Sequence, residues 1–467
     1  MKQKLWTAAA LLTLASLWLG LRFNTFWSTH WKGDQAQYIV LAMKLNRSGL
    51  ADYNLRHVLL GRVPISTRPL LSLSSAAISP DPADVGDLIR TYRYIGQGYY
   101  DEPLHVRAPF FPALLELSHK IFSVRDAGYG VCLQNENPFT RNARIARVQF
   151  WAVIVPLAFN FALMALILFW GTRWFGGRAG WYAAFLFAIN PVSLISSQRI
   201  LADDPLAFLV ALSQFFFFRA CRTNRLWVFV LSGLIFGAAV LTKQSVLYLT
   251  PIALIFAYAS AYSRNRDKPL KAFLDPGFLV YAGMTLAVSA FWFVKVYHVY
   301  GNPLHTPGTG MAVSRQADIT GWFEALRSRP RPLFFFTFSV IATCPLFGLA
   351  LVSLRDFHVQ VRSFLNRRAA DAKIIFLWLW IIAFFIPSSQ IFRFVWSASN
   401  QEHRYFYPAY AAIALLAGVV LDRLRQGLAR RAGGIWSEIV VGALLIWNIW
   451  ISVPIVAELL KTNSMLL

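Results

Sequence analysis

The chain is 467 residues long, 57% hydrophobic and only 14% charged, with a mean hydropathy of +0.48. A soluble domain of this length carries about a quarter charged residues, so a water-soluble globular class is excluded. The net charge of +23 sits in short polar breaks between apolar runs, the positive-inside pattern, and no nucleic-acid motif accompanies it; membrane lipid is the expected partner and nucleic acid is not.

Lys2 and Lys4 open an apolar run that reaches Leu21. No small-x-small site ends it, so an uncleaved first span is expected rather than a signal peptide. A long loop follows, 23–148, and two amphipathic helices are expected in it. One covers 35–47, with Tyr38, Leu41, Ala42 and Leu45 on one face. The other covers 109–122, with Phe110, Leu114, Leu117 and Ile121. Both suit the interface plane of a bilayer. Ser79-Pro80-Asp81-Pro82-Ala83-Asp84, between them, reads as turns.

Apolar runs then recur at 149–170, 181–197, 205–219, 227–243, 245–262, 277–297, 333–354, 373–390, 405–421 and 435–456. With the first they make about eleven transmembrane helices. Counting from a cytoplasmic N-terminus, the inner loops are 171–180, 220–226, 263–276, 355–372 and 422–434, and each carries arginine. The expectation is therefore an all-α, polytopic integral membrane protein of the cell (inner) membrane, built as a single module over 1–467. The inner loops are too short for a nucleotide-binding domain, which needs on the order of 50 residues. The long loops 23–148, 298–332 and 391–404 fall outside, with seven of the eight histidines. Gly301, Pro303, Pro307, Gly308 and Gly310 suggest a lid in the second.

Cys132, Cys221 and Cys344 form no paired or zinc-type pattern. The histidines make no HxH or HExxH motif, so no metal ligands are assigned; no cofactor is certain, and a divalent metal stays open without motif support.

A few polar residues stand where chemistry is expected. Asp34, in Gly33-Asp34-Gln35-Ala36-Gln37-Tyr38, precedes a helix. It reads either as a helix cap or as a carboxylate general base at the membrane surface. Asp203-Asp204-Pro205 links two spans. Carboxylates there are costly unless paired or in a wet cavity; the pair reads as an exposed turn or as Asp203 pointing into an outer cavity, where it positions a basic side chain or the acceptor. Arg107, Lys243 and Arg404, with His403 beside it, head for the same membrane face. Each alone reads as snorkelling; together they would hold a lipid-linked phosphate.

Five stretches carry a family resemblance: GDQAQYIVLA at 33–42, RAPFFPALL at 107–115, the run of spans over 147–220 that includes LADDPLAFL, LTKQ at 241–244 and HRYFYPAYAAIALLAG at 403–418. Together they resemble the GT-C glycosyltransferases that use polyprenyl-phosphate sugars, in the group of protein O-mannosyltransferases and lipid A aminoarabinose transferases. The family often has Asp-Glu where this chain has Asp34-Gln35. The resemblance implies a hexosyl- or pentosyltransferase with an extracytoplasmic site. Its donor would be a polyprenyl-phosphate-linked sugar, and its acceptor a protein, lipid A or a cell-surface glycan. It implies Asp34 as catalytic base and Arg107 on the donor phosphate, with Asp203, Lys243 and Arg404 lining the same cavity and Tyr38 and His403 auxiliary. A transporter or flippase of lipid-linked sugars and a glycan ligase or polymerase are the alternatives.

Overall fold

A computed structural model of the chain describes residues 2–22, 38–39, 41–42, 45, 108–122, 138–264, 275–301, 303, 340–365, 372–388 and 405–462. The regular structure among them is helical throughout. Helix α1 runs from Lys2 to Arg22. Helix α2, Phe110–Ile121, follows Pro109. Helix α3 runs from Pro138 to Phe175, α4 from Gly177 to Ile189, and α5 from Pro191 to Ser197. Next come α6, Asp203–Thr223, and α7, Leu226–Val240. A 3-10 segment, Gln244–Leu249, leads into α8, Thr250–Arg264, and then α9, Pro276–Tyr300. A second 3-10 segment, Pro345–Ser353, continues into α10, Leu354–Leu365. Helix α11 covers Lys373–Ser388, α12 covers Tyr410–Ala432 and α13 covers Gly434–Thr462.

Among the described residues, six helices are long and apolar enough to cross a membrane, or seven if α4 and α5 count as one broken span. All lie where the sequence places spans, but the expected number is larger. Helix α7 and the apolar parts of α1 and α11, Leu11–Arg22 and Lys373–Phe385, are shorter. The expected span 181–197 is a correction: α4 and α5 meet at 61°. Asn190 and Pro191 cause the bend. The Asn190 side chain accepts from the backbone N–H groups of Val192 and Ser193 at 2.9 and 3.2 Å, and Pro191 takes the first helical position, a combination that starts a new helix. The described part of 333–354 is also not one regular helix. It breaks at Cys344-Pro345, where Asn448 of α13 accepts from the Leu346 N–H at 3.0 Å.

The burial pattern is that of a bilayer protein. Helix α12 is buried on every side from Tyr410 to Asp422, and such a helix lies at the centre of its bundle. Small residues let its neighbours close in: a Cβ at Gly418 would sit 2.5 Å from the Ala179 carbonyl oxygen of α4. By contrast, Leu286 and Phe291 of α9 and Ile446 and Trp450 of α13 are exposed. Large apolar side chains turned outward over whole helices suit lipid rather than water.

Helix α2 also buries a second face beside the expected one. Phe111, Leu115, Ser118 and His119 are buried, whereas Leu117 and Ile121 are exposed. The apolar surface of α2 wraps two sides, one on the protein and one free for lipid.

The bundle has two polar ends. At one, Glu438 meets Arg178 at 3.6 Å and Arg425 at 3.3 Å, Arg423 pairs with Asp356, and Lys373 donates to the Trp174 carbonyl at 3.1 Å. These residues come from loops and flanks that the sequence assigns to the inner side. The other end lies a helix length away, roughly 30 Å for 21 residues.

Candidate active site

At that second end the chain changes direction through Gln198 to Ala202 and enters α6 at Asp203 and Asp204. Successive helical residues point about 100° apart, so the two carboxylates serve different neighbours. Both are buried, 1% and 0% exposed. The exposed-turn reading of this link is therefore wrong; these acids are paired because a buried carboxylate beside a bilayer must be.

Asp203 Oδ1 accepts from Lys243 Nζ at 3.0 Å. Lys243 follows the turn that ends α7, where Thr242 and Lys243 still bond back to the Ala239 carbonyl. Its ammonium also lies 4.2 Å from the Tyr405 ring centroid, a cation–π distance. An ammonium has three donors, and one goes to Asp203. Lys243 is thus a held cation, not one snorkelling alone.

The start of α2 docks here as well. The Phe110 N–H donates to the Leu241 carbonyl at 3.1 Å, two residues before Lys243. Tyr38 is buried and meets Phe111 edge-to-face, ring centroids 4.8 Å apart. Five stretches far apart in sequence therefore take part in these contacts: Tyr38, the start of α2, Asp203, the 241–243 turn and Tyr405. Asp34, Arg107, His403 and Arg404 lie outside the described residues. Arg107 is three residues before Phe110, and Arg404 immediately precedes Tyr405.

Beneath this layer is a second one that sequence reasoning missed. Asn160, in the apolar run of α3, is its hub. It accepts from Trp18 Nε1 at 2.7 Å, and its Nδ2 lies 2.7 Å from Asp204 Oδ1, 2.9 Å from the Tyr407 hydroxyl and 3.0 Å from Ser193 Oγ. Tyr407 in turn donates to Asp204 Oδ1 at 2.7 Å. Arg22, the last residue of α1, is 0% exposed. It donates to Ser197 Oγ at 2.8 Å, Ser193 Oγ at 3.1 Å and the Ala188 carbonyl at 3.3 Å. That carbonyl is free because Asn190 has taken the Val192 N–H it would otherwise accept. A lone amide inside an apolar span was the available signal for this layer.

Residues 141–293 match the family model described as dolichyl-phosphate-mannose-protein mannosyltransferase. The matched stretch contains Asn160, Asp203, Asp204 and Lys243. Among curated proteins none matches the chain by sequence. Among solved structures, ArnT from Cupriavidus metallidurans bound to undecaprenyl phosphate superposes with a TM-score of 0.50 at 15% identity, covering 97% of this chain and 73% of that one. The oligosaccharyltransferase of Archaeoglobus fulgidus in its apo form gives 0.52 at 15% identity, over 97% of this chain and 56% of that one. The same organism's AglB, in complex with an inhibitory peptide and a dolichol-phosphate, gives 0.52 at 15% identity, over 96% and 55%. The chain thus spans little more than half the length of the archaeal proteins. The fold is the GT-C fold of membrane glycosyltransferases.

Proposed function

We propose that this chain is a GT-C glycosyltransferase of the ArnT and protein-mannosyltransferase type, a reading that the fold and the family match over 141–293 support, and that it moves a sugar from a polyprenyl-phosphate donor to an acceptor on the extracytoplasmic face of the membrane. The observation that carries this reading is the gathering of Lys243, Asp203, Tyr405 and the start of α2 at one end of the bundle. Arg107 and Arg404 flank two of those segments in sequence. A lipid-linked phosphate needs such a cluster of cations close to the headgroup plane.

Outside the cytoplasm no nucleotide sugar is at hand, so an activated sugar arrives tethered to lipid. Transfer then requires one displacement at the anomeric carbon. The acceptor hydroxyl attacks, and Asp34 takes its proton. The bond from carbon to the phosphate oxygen breaks, and the electron pair leaves with the polyprenyl phosphate. That leaving group departs as an anion and needs no general acid. It needs cations, which Arg107, Lys243 and Arg404 supply in a partly dry site. Asp203 orients Lys243 for this, while the remaining ammonium donors face the phosphate. Tyr38 and His403 are auxiliary, through packing and acceptor contacts. One base acting on one face gives inversion; retention would call for a second carboxylate as nucleophile.

The test is incubation of purified protein in lipid with a panel of polyprenyl-phosphate sugars and candidate acceptors: protein, lipid A and envelope glycan. Consumption of one donor with release of polyprenyl phosphate supports transfer. Movement of an intact donor across the bilayer without consumption would establish a flippase instead.

A further inference from the structure

We propose that the buried layer of Arg22, Asn160, Asp204 and Tyr407 is a positioning device for Lys243, acting through the seats of Asp203 and Tyr405. The inference deepens the reading of Lys243 as a phosphate-binding cation and rests on it.

Sequence adjacency makes the connection. Asp204 neighbours Asp203 at the start of α6, and Tyr407 stands two residues after Tyr405. Each segment therefore places one side chain on Lys243 and one on the buried layer. The 2.7 Å bond between Tyr407 and Asp204 ties the two segments together close in sequence to the residues that hold the ammonium. Asn160 holds that bond from α3 and, through Trp18, from α1. Arg22 closes the layer. Its guanidinium reaches Asp204 through Ser193 and Asn160, in steps of 3.1, 3.0 and 2.7 Å. One positive and one negative charge thus balance inside a network of neutral donors and acceptors.

Burying such charges costs several kcal/mol each unless geometry and partners are good. An apolar set would pack the same volume without that cost, so stability alone does not account for the arrangement. What a polar network with Asp204 Oδ1 bonded from both Asn160 and Tyr407 adds is a fixed position. Here it fixes two separate segments relative to each other, and Lys243 bonds to both. A shift of one ångström at a group that stabilises a transition state can cost about a hundredfold in rate.

The test is a double-mutant cycle on the full chain in nanodiscs, with binding of undecaprenyl phosphate as the readout, so that sugar transfer is not required. The variants are Tyr407→Phe, Asp204→Asn and Arg22→Gln, each made with Lys243 present and in a Lys243→Ala background. Positioning predicts that Tyr407→Phe weakens lipid-phosphate binding about tenfold when Lys243 is present, and by less than about twofold when it is absent. Equal losses in both backgrounds mark a merely structural role and overturn the proposal, as does no loss in either. Should Arg22→Gln or Asp204→Asn fail to give monodisperse protein, Tyr407→Phe, which removes one hydroxyl, decides alone. Failure of the unmodified chain to bind any polyprenyl phosphate overturns the phosphate reading itself, and this proposal with it. That outcome is seen in the unmodified chain, whereas failure of the positioning role appears only among the variants.

Discussion

Lys243 shows how a single residue's environment decides between two ordinary readings. A lysine at the end of a span is usually a headgroup contact. Here the side chain is 15% exposed and bonded to a carboxylate that is itself buried. Lys243→Ala should therefore do two things. It takes an ion-pair partner from the buried Asp203 carboxylate, which costs up to roughly 3–5 kcal/mol of stability, and it removes a phosphate donor. The double variant Asp203→Asn, Lys243→Ala should recover much of the stability and none of the transfer, as measured by thermal unfolding and donor consumption. Recovery of both would remove Lys243 from the mechanism. Asp34→Asn should abolish transfer while the protein stays folded and still binds donor; turnover by that variant would exclude Asp34 as base. Asp203 and Lys243 were legible in sequence because charge near a bilayer is rare and demands a reason. Arg22, Asn160 and Tyr407 were not. Arg22 reads as the basic flank of a span, Asn160 as one amide among apolar residues, and Tyr407 as part of an aromatic run; only the fold brings them to one point.

At the scale of elements, hydrophobic runs predict where helices cross and say little about where they break. Asn190-Pro191 carried both halves of a helix-start signal, a capping amide and a proline at the first position. It sat inside an apolar stretch whose continuity suggested one span. The break matters because it frees the Ala188 carbonyl for Arg22. Asn190→Ala should cost about 1 kcal/mol through the lost cap, visible as a lower unfolding temperature. Close approach is equally invisible in a hydropathy profile. Gly418 of α12 lies against Ala179 and Ala183 of α4, and an added Cβ would come within 2.5 Å of the Ala179 oxygen and 2.8 Å of the Ala183 nitrogen. Backbone cannot yield as a flexible side chain does, so Gly418→Ala should destabilise by about 1–3 kcal/mol. The helix pair is of the small-residue kind that membrane interiors favour. A melting temperature equal to that of the unmodified chain would show that α4 and α12 do not pack this closely.

For the whole molecule, the distribution of charge along the sequence foretold which segments gather at which end. Loops assigned inward by their arginines meet through Glu438, Asp356 and the Trp174 carbonyl. Segments assigned outward meet around Lys243. That grouping is a property of the bundle, whereas its direction in the membrane is an inference from the positive-inside rule. The direction carries the donor argument, because a site on the cytoplasmic side would have nucleotide sugars available and no need of a lipid-linked one. Single cysteines decide it in a Cys132→Ser background, since Cys221 and Cys344 are buried. Arg225 and His298 are exposed, beside the start of α7 and at the end of α9. These two helices run parallel, as Gly233 meets Tyr281 and Gly237 meets Val288, so the two positions lie at opposite ends of the bundle. A membrane-impermeant maleimide applied to intact cells should label His298→Cys and leave Arg225→Cys unlabelled until the membrane is permeabilised. The reverse pattern would turn the Lys243 end toward the cytoplasm. The charge-paired site would then survive as geometry, but its assignment to polyprenyl-phosphate chemistry would lose its physical reason.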